Sequence, residues 1–263
     1  MKAPHQRYCV FCGSAADSRE HVFAKRLCKR AGAVRFAVIS GLSAEGRETV
    51  TRNPHNIDAV KVRHVCTRCN NTWMNDLEAW FELRMGCLIE PDWPKLALPV
   101  IEALKEERAR LAHWLMKTAV MFNLAILKGN HSVEFPADVT QKIRQGVLPD
   151  YCWVDLAYSK ITTVGGAISK GFRVFNGGKY YPNQVFSDGL GFRFAVQFNH
   201  LLLRIARTPG VDVMYASGQD ELPMRLYPTS SPTIPKNFAY EDIMSFEHAV
   251  FLDTGQNYQS NVP

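Results

Sequence analysis

Apolar residues are spaced in two different ways along this chain, and the change of period marks its organisation. After Cys69, the text NNTWMNDLEAWFELRM sets Trp73, Leu77, Trp80 and Phe81 on one stripe, the spacing of a helix. EPDWP, residues 90–94, then interrupts it. Further helices are predicted around Lys95–Arg110 and Leu111–Lys128, and near Ala137–Gly146. The stretch from Leu111 to Leu127 is the most apolar of the chain but carries His113, Lys117 and Asn123. That suits a buried helix better than a membrane span, which needs roughly 20 mostly apolar residues.

From Tyr151 the period shortens. CWVDLAY, FRVFNGGKYY, FRFAVQF and LLLRIA alternate or run apolar, with Gly pairs at the expected turns. About six strands, mostly antiparallel, are predicted there, with a closing helix over Tyr240–Phe251 and a surface loop at 229–235. Upstream, residues 1–90 hold short β-like runs such as VRFAVI, punctuated by Gly41, Gly46, Asn53 and Pro54. The fold class expected is α+β, with a boundary near residue 92 separating 1–92 from 93–263 and a softer one near 149.

Composition narrows the class. The chain has 263 residues, 46% hydrophobic and 21% charged, as in an ordinary globular protein. The N-terminus MKAPHQRYC has no apolar run, so no signal peptide is expected. A soluble, cytoplasmic protein is expected, with no membrane partner. The net charge of +6 is uneven. Residues 1–90 carry 14 Lys/Arg and 9 Asp/Glu, whereas 91–263 carry 17 and 16. A basic N-terminal third points mildly to a polyanionic partner.

Seven cysteines, an odd number without a secretory signal, argue against a disulfide framework. Cys28, Cys87 and Cys152 are isolated and read as small buried fillers. The other four form two C-x-x-C pairs, Cys9/Cys12 and Cys66/Cys69. Each tight turn presents two sulfurs, and two such turns complete the tetrahedral shell of a structural Zn2+. A redox dithiol would need only one pair. If one ion gathers all four, two distant segments are drawn together: Glu20-His21, just after the first pair, and Asn70, directly after the last cysteine. An imidazole base and two oxygen donors would then surround one small pocket.

With these residues in view, C-x-x-C…EHV…VCTRCN resembles the HNH, or His-Me finger (ββα-metal), endonuclease family. The resemblance is to its four-cysteine zinc subgroup with an endonuclease VII-like finger, and it covers roughly residues 9–81. REHVFAKRL…VRHVCTRCNNTWMNDLE also resembles a bacterial and phage subgroup with the pattern EHVxPKWL…VCxxCNxxWMxxLE, with a fainter echo in HWLMKTAV. The resemblance implies a zinc-stapled ββα-metal finger at the N-terminus and an accessory region after it. It implies metal-dependent hydrolysis of phosphodiester bonds in DNA (RNA stays open), leaving a 5′-phosphate and a 3′-hydroxyl, in phage or anti-phage biology. His21 is then the general base, while Glu20 and Asn70 hold a catalytic Mg2+ or Mn2+. Oxygen donors suit both ions, and an unperturbed imidazole accepts a proton near neutrality. Lys25, Arg26, Arg63 and Arg68 are candidate phosphate contacts, and a homodimer would suit double-strand cutting.

The chain departs from the pattern in places. Glu20 stands where Asp is frequent, Ala24 where Pro is frequent, and Trp73 where an acid is found. The middle Asn has no clear counterpart, since Lys61 occupies the place where it is first sought. His64 reads as packing on the knuckle. Asn70 has a second use as a helix cap, and Trp73, Trp80 and Phe81 read as core. Two rival readings remain: a zinc-stabilised nucleic-acid-binding protein without cleavage, and a regulatory factor for which the finger is only a staple.

Overall fold

The computed structural model of the chain describes residues 6–32, 35–42, 48–49, 55–56, 60–89, 100, 102–104, 106–126, 133–170, 172–176, 179–184, 191–208, 213–215, 224–228, 239–241, 243, 246 and 250–253. Its helices and sheets are mixed. The N-terminal elements are β1 (Glu20–His21), α1 (Lys25–Arg30), β2 (Arg35–Leu42), β3 (Glu48–Thr49), β4 (His55–Asn56) and β5 (Lys61–Val62). A helical run follows: α2 (Thr67–Cys69), a π-type turn over Asn70–Met74, α3 (Asn75–Met85) and a 3-10 turn at Gly86–Ile89. Then come α4 (Arg108–Ile126) and α5 (Ala137–Arg144). The strand-rich part holds β6 (Cys152–Lys170), β7 (Phe172–Asn176), β8 (Lys179–Gln184), β9 (Phe192–Arg207), β10 (Val213–Tyr215), β11 (Met224–Tyr227), β12 (Ala239–Tyr240) and β13 (Val250–Asp253).

β6 organises the large sheet. Along one edge it pairs with β9, antiparallel from Cys152↔Arg207 to Lys170↔Phe192, with an irregularity between Tyr158 and Thr163. It also takes three shorter strands in succession: β11 antiparallel, β12 parallel and β2 parallel. β2 comes from the segment between the two cysteine pairs, so the insertion they enclose is itself part of the large sheet. A second sheet has the order β10-β13-β7-β8. The strands are therefore mostly but not wholly antiparallel.

Both faces of the large sheet are covered, which is why β9 reads as a nearly unbroken apolar run. Leu201, Leu203 and Ile205 join the main core, whereas Leu202 joins a smaller cluster with Ala157, Ala195, Tyr240, Ile243 and Phe246. The main core is continuous from Cys9 to Leu226. It therefore extends across residue 92, itself outside the described residues. α4 lies at its centre, with Leu111, Trp114, Leu115, Met116, Val120, Met121 and Phe122 buried. Trp114 stacks on Phe81 of α3 at 3.6 Å, and Phe122 meets Phe194 of β9 at 5.3 Å.

Three expectations change. Gly165-Gly166 lies within β6 and not at a turn. At Gly166 a Cβ would come within 2.7 Å of the Phe122 ring, so the missing side chain lets α4 approach the sheet. Gly166→Ala is expected to lower stability by about 1–3 kcal/mol through overpacking, measured as a shift in urea midpoint. Next, the helix predicted over Tyr240–Phe251 is not continuous: Tyr240 ends β12, and Val250–Asp253 forms β13. Last, the two helices expected either side of residue 110 meet earlier. A helical turn ends at Leu104, whose N–H bonds Val100, and the long helix is already under way at Arg108. The predicted loop at 229–235 lies outside the described residues. No helix among the described residues is long and apolar enough to cross a membrane.

A candidate metal centre and the pocket beside it

The first knuckle is a tight turn closed by Cys9 N–H to Ser14 O (2.7 Å) and Gly13 N–H to Cys9 O (2.8 Å). Gly13 has φ +72°, the left-handed conformation that glycine adopts without a Cβ penalty. Backbone bonds stitch this turn to the second: Val10 N–H to His64 O (2.9 Å) and Ser18 N–H to Val65 O (3.2 Å). The second knuckle opens α2, where the Cys69 N–H donates to Cys66 Sγ at 3.4 Å. Asp17 accepts the Thr67 N–H at 2.6 Å, and this bond holds its carboxyl below the usual range.

The outcome is a cluster. Cys9, Cys12, Cys66 and Cys69 bring their sulfurs within 4.8 Å of one another, and Cys12 and Cys66, 54 positions apart, approach to 3.5 Å. Zinc–sulfur bonds of ~2.3 Å place tetrahedral sulfurs about 3.8 Å apart, so the donor set and its spacing fit a Zn2+ ion. Burial pushes the Cys9 and Cys69 thiols up. A dication is what would make four adjacent thiolates tolerable there. The cluster could thus hold a metal ion such as zinc. Cys28 and Cys152 are buried apart from it, and Cys87 is half-buried.

β1 and β5 pair antiparallel beside this cluster, Glu20 opposite Val62 and His21 opposite Lys61. The helical run follows directly. It starts at Thr67, with Cys66 as its cap, and the Asn70 N–H is already committed to Cys66 O at 3.0 Å. Asn70 is therefore not the N-terminal cap of the helix. Its side chain instead donates to Ser18 Oγ at 3.3 Å and comes close enough to the Glu20 carboxyl to favour its charged form. Immediately after it the run kinks through the π-type turn, the kind of irregularity often found at functional sites.

Glu20 and Asn70, far apart in sequence, are thus in contact, with half-buried His21 next along β1. Burial pushes the Glu20 carboxyl up. Lys117 pulls it down, Glu78 pushes it up, and Asn70 pulls it down. The half-desolvated Glu20 carboxylate is a hard oxygen donor of the kind a divalent cation takes, while the Asn70 amide presents its NH2 to Ser18.

Two neighbours lie within the wider pattern, Glu78 in NNTWMNDLE and Lys117 in HWLMKTAV, where the sequence alone suggests no role for them. Glu78 of α3 and Lys117 of α4 are 7% and 1% exposed and form a buried ion pair within electrostatic reach of Glu20. The signal in the sequence is Lys117, the one cation inside the apolar stripe of α4. Trp73 faces Cys69, packs edge-on against Phe11 at 5.0 Å and stacks on His113 at 5.4 Å. Burial pushes the His113 imidazole down, so it serves as a neutral packing element. His64 is likewise pushed down, by burial and then by Arg7.

The basic residues divide. Arg26 on α1 is held by Glu82 at 2.9 Å, so part of that face is neutralised. Lys25, Arg63 and Arg68 are exposed. Asn53 lies outside the described residues, and β4 includes Asn56.

No family model matches this chain, and neither a curated protein nor a solved structure is significantly similar to it. The functional reading accordingly rests on the residues and their arrangement.

Proposed function

We propose that the chain is a metal-dependent endonuclease of the HNH type that hydrolyses phosphodiester bonds in DNA. The observation that carries this reading is the contact between Glu20 and Asn70, beside His21 and the four-cysteine cluster. In this reading the β1–β5 pair and the helical run are a ββα-metal finger stapled by Zn2+, and the rest of the chain is accessory. His21 removes a proton from the attacking water, the work of a general base placed in hydrogen-bond reach. Glu20 and Asn70 would hold Mg2+ or Mn2+, which supplies electrostatic stabilisation of the charge developing on the phosphate. Ser18 orients Asn70 through their hydrogen bond, and Lys117 favours the charged form of Glu20 against its burial.

The test is nicking of supercoiled plasmid with Mg2+ or Mn2+. His21→Ala is expected to slow cleavage by about 10²–10⁴-fold, the contribution typical of general acid–base catalysis. Zinc content should stay unchanged. Cleavage equally fast in His21→Ala would remove the mechanism. A nucleic-acid-binding protein without cleavage is the second reading. It is favoured by the setting of the two groups: the Asn70 NH2 is given to Ser18, and burial disfavours the charged form of Glu20 that a cation would need. It predicts DNA binding with no cutting by either protein.

A further inference from the structure

The two cysteine knuckles carry a basic groove beside the proposed catalytic residues. It is an open depression of about 820 Å3, and its rim includes Arg7, Arg19 and Arg63. Three local pairings set those side chains around it. The Glu20↔Val62 pairing of β1 with β5 puts Arg19 and Arg63, one step before and one step after, beside each other. Arg7 is brought in by its carbonyl, which accepts the Ala16 N–H at 2.9 Å, next to the Tyr8↔Ala15 bridge. All three arginines are exposed, and among the described residues none has an ion-pair partner. Like charges side by side on paired strands repel, so the arrangement favours an anion between them. Asp17 is the one acid of the lining, and its carboxylate is engaged by the Thr67 N–H.

The groove also has a direction. Its lining includes Ser18, whose hydroxyl accepts from Asn70, and Asn70 in turn lies near Glu20. Three guanidiniums therefore border the approach to Ser18, Asn70 and Glu20, while Arg26 is paired with Glu82 at 2.9 Å. We infer that Arg7, Arg19 and Arg63 bind successive phosphates of a DNA backbone and feed the strand to the Glu20–Asn70 pair. Guanidinium suits this work because its planar fork engages phosphate oxygens bidentately. The inference rests on the reading of the partner as DNA and does not require cleavage.

The experiment is fluorescence-anisotropy titration of the full chain with a short labelled DNA duplex, without added divalent cation, across roughly 50–200 mM salt. Arg7→Gln/Arg19→Gln/Arg63→Gln is expected to weaken binding by about tenfold or more. It should also flatten the dependence of log affinity on log salt by about 0.9 for each phosphate that is no longer neutralised. Zinc content and melting temperature should match the wild type; if the triple variant loses zinc, single variants Arg7→Gln and Arg63→Gln carry the same slope test. An unchanged slope, or a wild type that does not bind the duplex, overturns the groove. The nuclease reading fails separately. Binding abolished in the triple variant, with no cutting by the wild type, supports the groove and overturns catalysis. Cutting by the wild type with binding unaltered in the triple variant overturns the groove alone.

Discussion

Cys66→Ala is expected to release a stoichiometric zinc ion and to cost more stability than any other single exchange in the chain. Cys66 occupies the middle of the cluster: its sulfur lies 3.5 Å from Cys12 Sγ and also accepts the Cys69 N–H. Its loss removes a ligand and the cap of α2 together. Structural zinc sites contribute about 10–16 kcal/mol in isolated finger peptides, comparable to the ~5–15 kcal/mol net stability of a whole domain. Here the shared core, continuous from Cys9 into the large sheet, will hold part of the fold together. The expected result is therefore a lower melting temperature with most strand signal retained below it, and zinc falling from one per chain to none by elemental analysis. Cys28→Ala should leave zinc intact, since Cys28 is not in the cluster. Acid should act in the same direction as the mutation. Burial raises the Cys9 and Cys69 thiols, protons compete with the metal for them, and zinc affinity must fall as pH falls. Full zinc occupancy in Cys66→Ala, by the same elemental analysis, would mean that the four sulfurs do not share an ion.

The local chemistry of the N-terminal part was legible because it is written in short spacings. Two C-x-x-C pairs are enough to predict which segments meet, and the structure brings the four cysteines together, with Asn70 near Glu20. The long helix was legible from its apolar stripe, although its start lies at Arg108 or before. What depends on distant partners was not. Nothing within RFAVISGL announces that β2 pairs in parallel with β6, because a parallel pairing is set by packing on both faces and not by alternation. Gly165-Gly166 reads as a turn until Phe122, more than 40 positions away, is seen to need the space. Nor does the sequence announce that Arg26 of α1 meets Glu82 of α3 at 2.9 Å. The helix cap is Cys66 and the alternative use of Asn70 as a cap is not taken up, because a knuckle sulfur accepts the N–H that an Asn oxygen would take elsewhere.

Lys117 offers the second large effect. Its ammonium is buried between α4 and α3, paired with Glu78 and lying 5.7 Å from the centre of the Trp114 ring. Removing one partner of such a pair leaves the other charge in a poorly solvated interior. Lys117→Met should therefore lower stability by about 3–5 kcal/mol, measured by urea unfolding. Glu78→Leu in the same background should restore much of that loss, because two buried charges replaced by apolar groups of similar volume cost little. The comparison separates the pair's two roles. If the ions served stability alone, the double variant would match the wild type in every respect. Lys117 and Glu78 also act on Glu20 in opposite senses, the one favouring its charged form and the other opposing it. The double variant should therefore recover stability but bind Mn2+ differently from the wild type, which electron paramagnetic resonance of the free ion would register. A Lys117→Met protein within about 1 kcal/mol of the wild type would show that this pair is not a buried ionic contact.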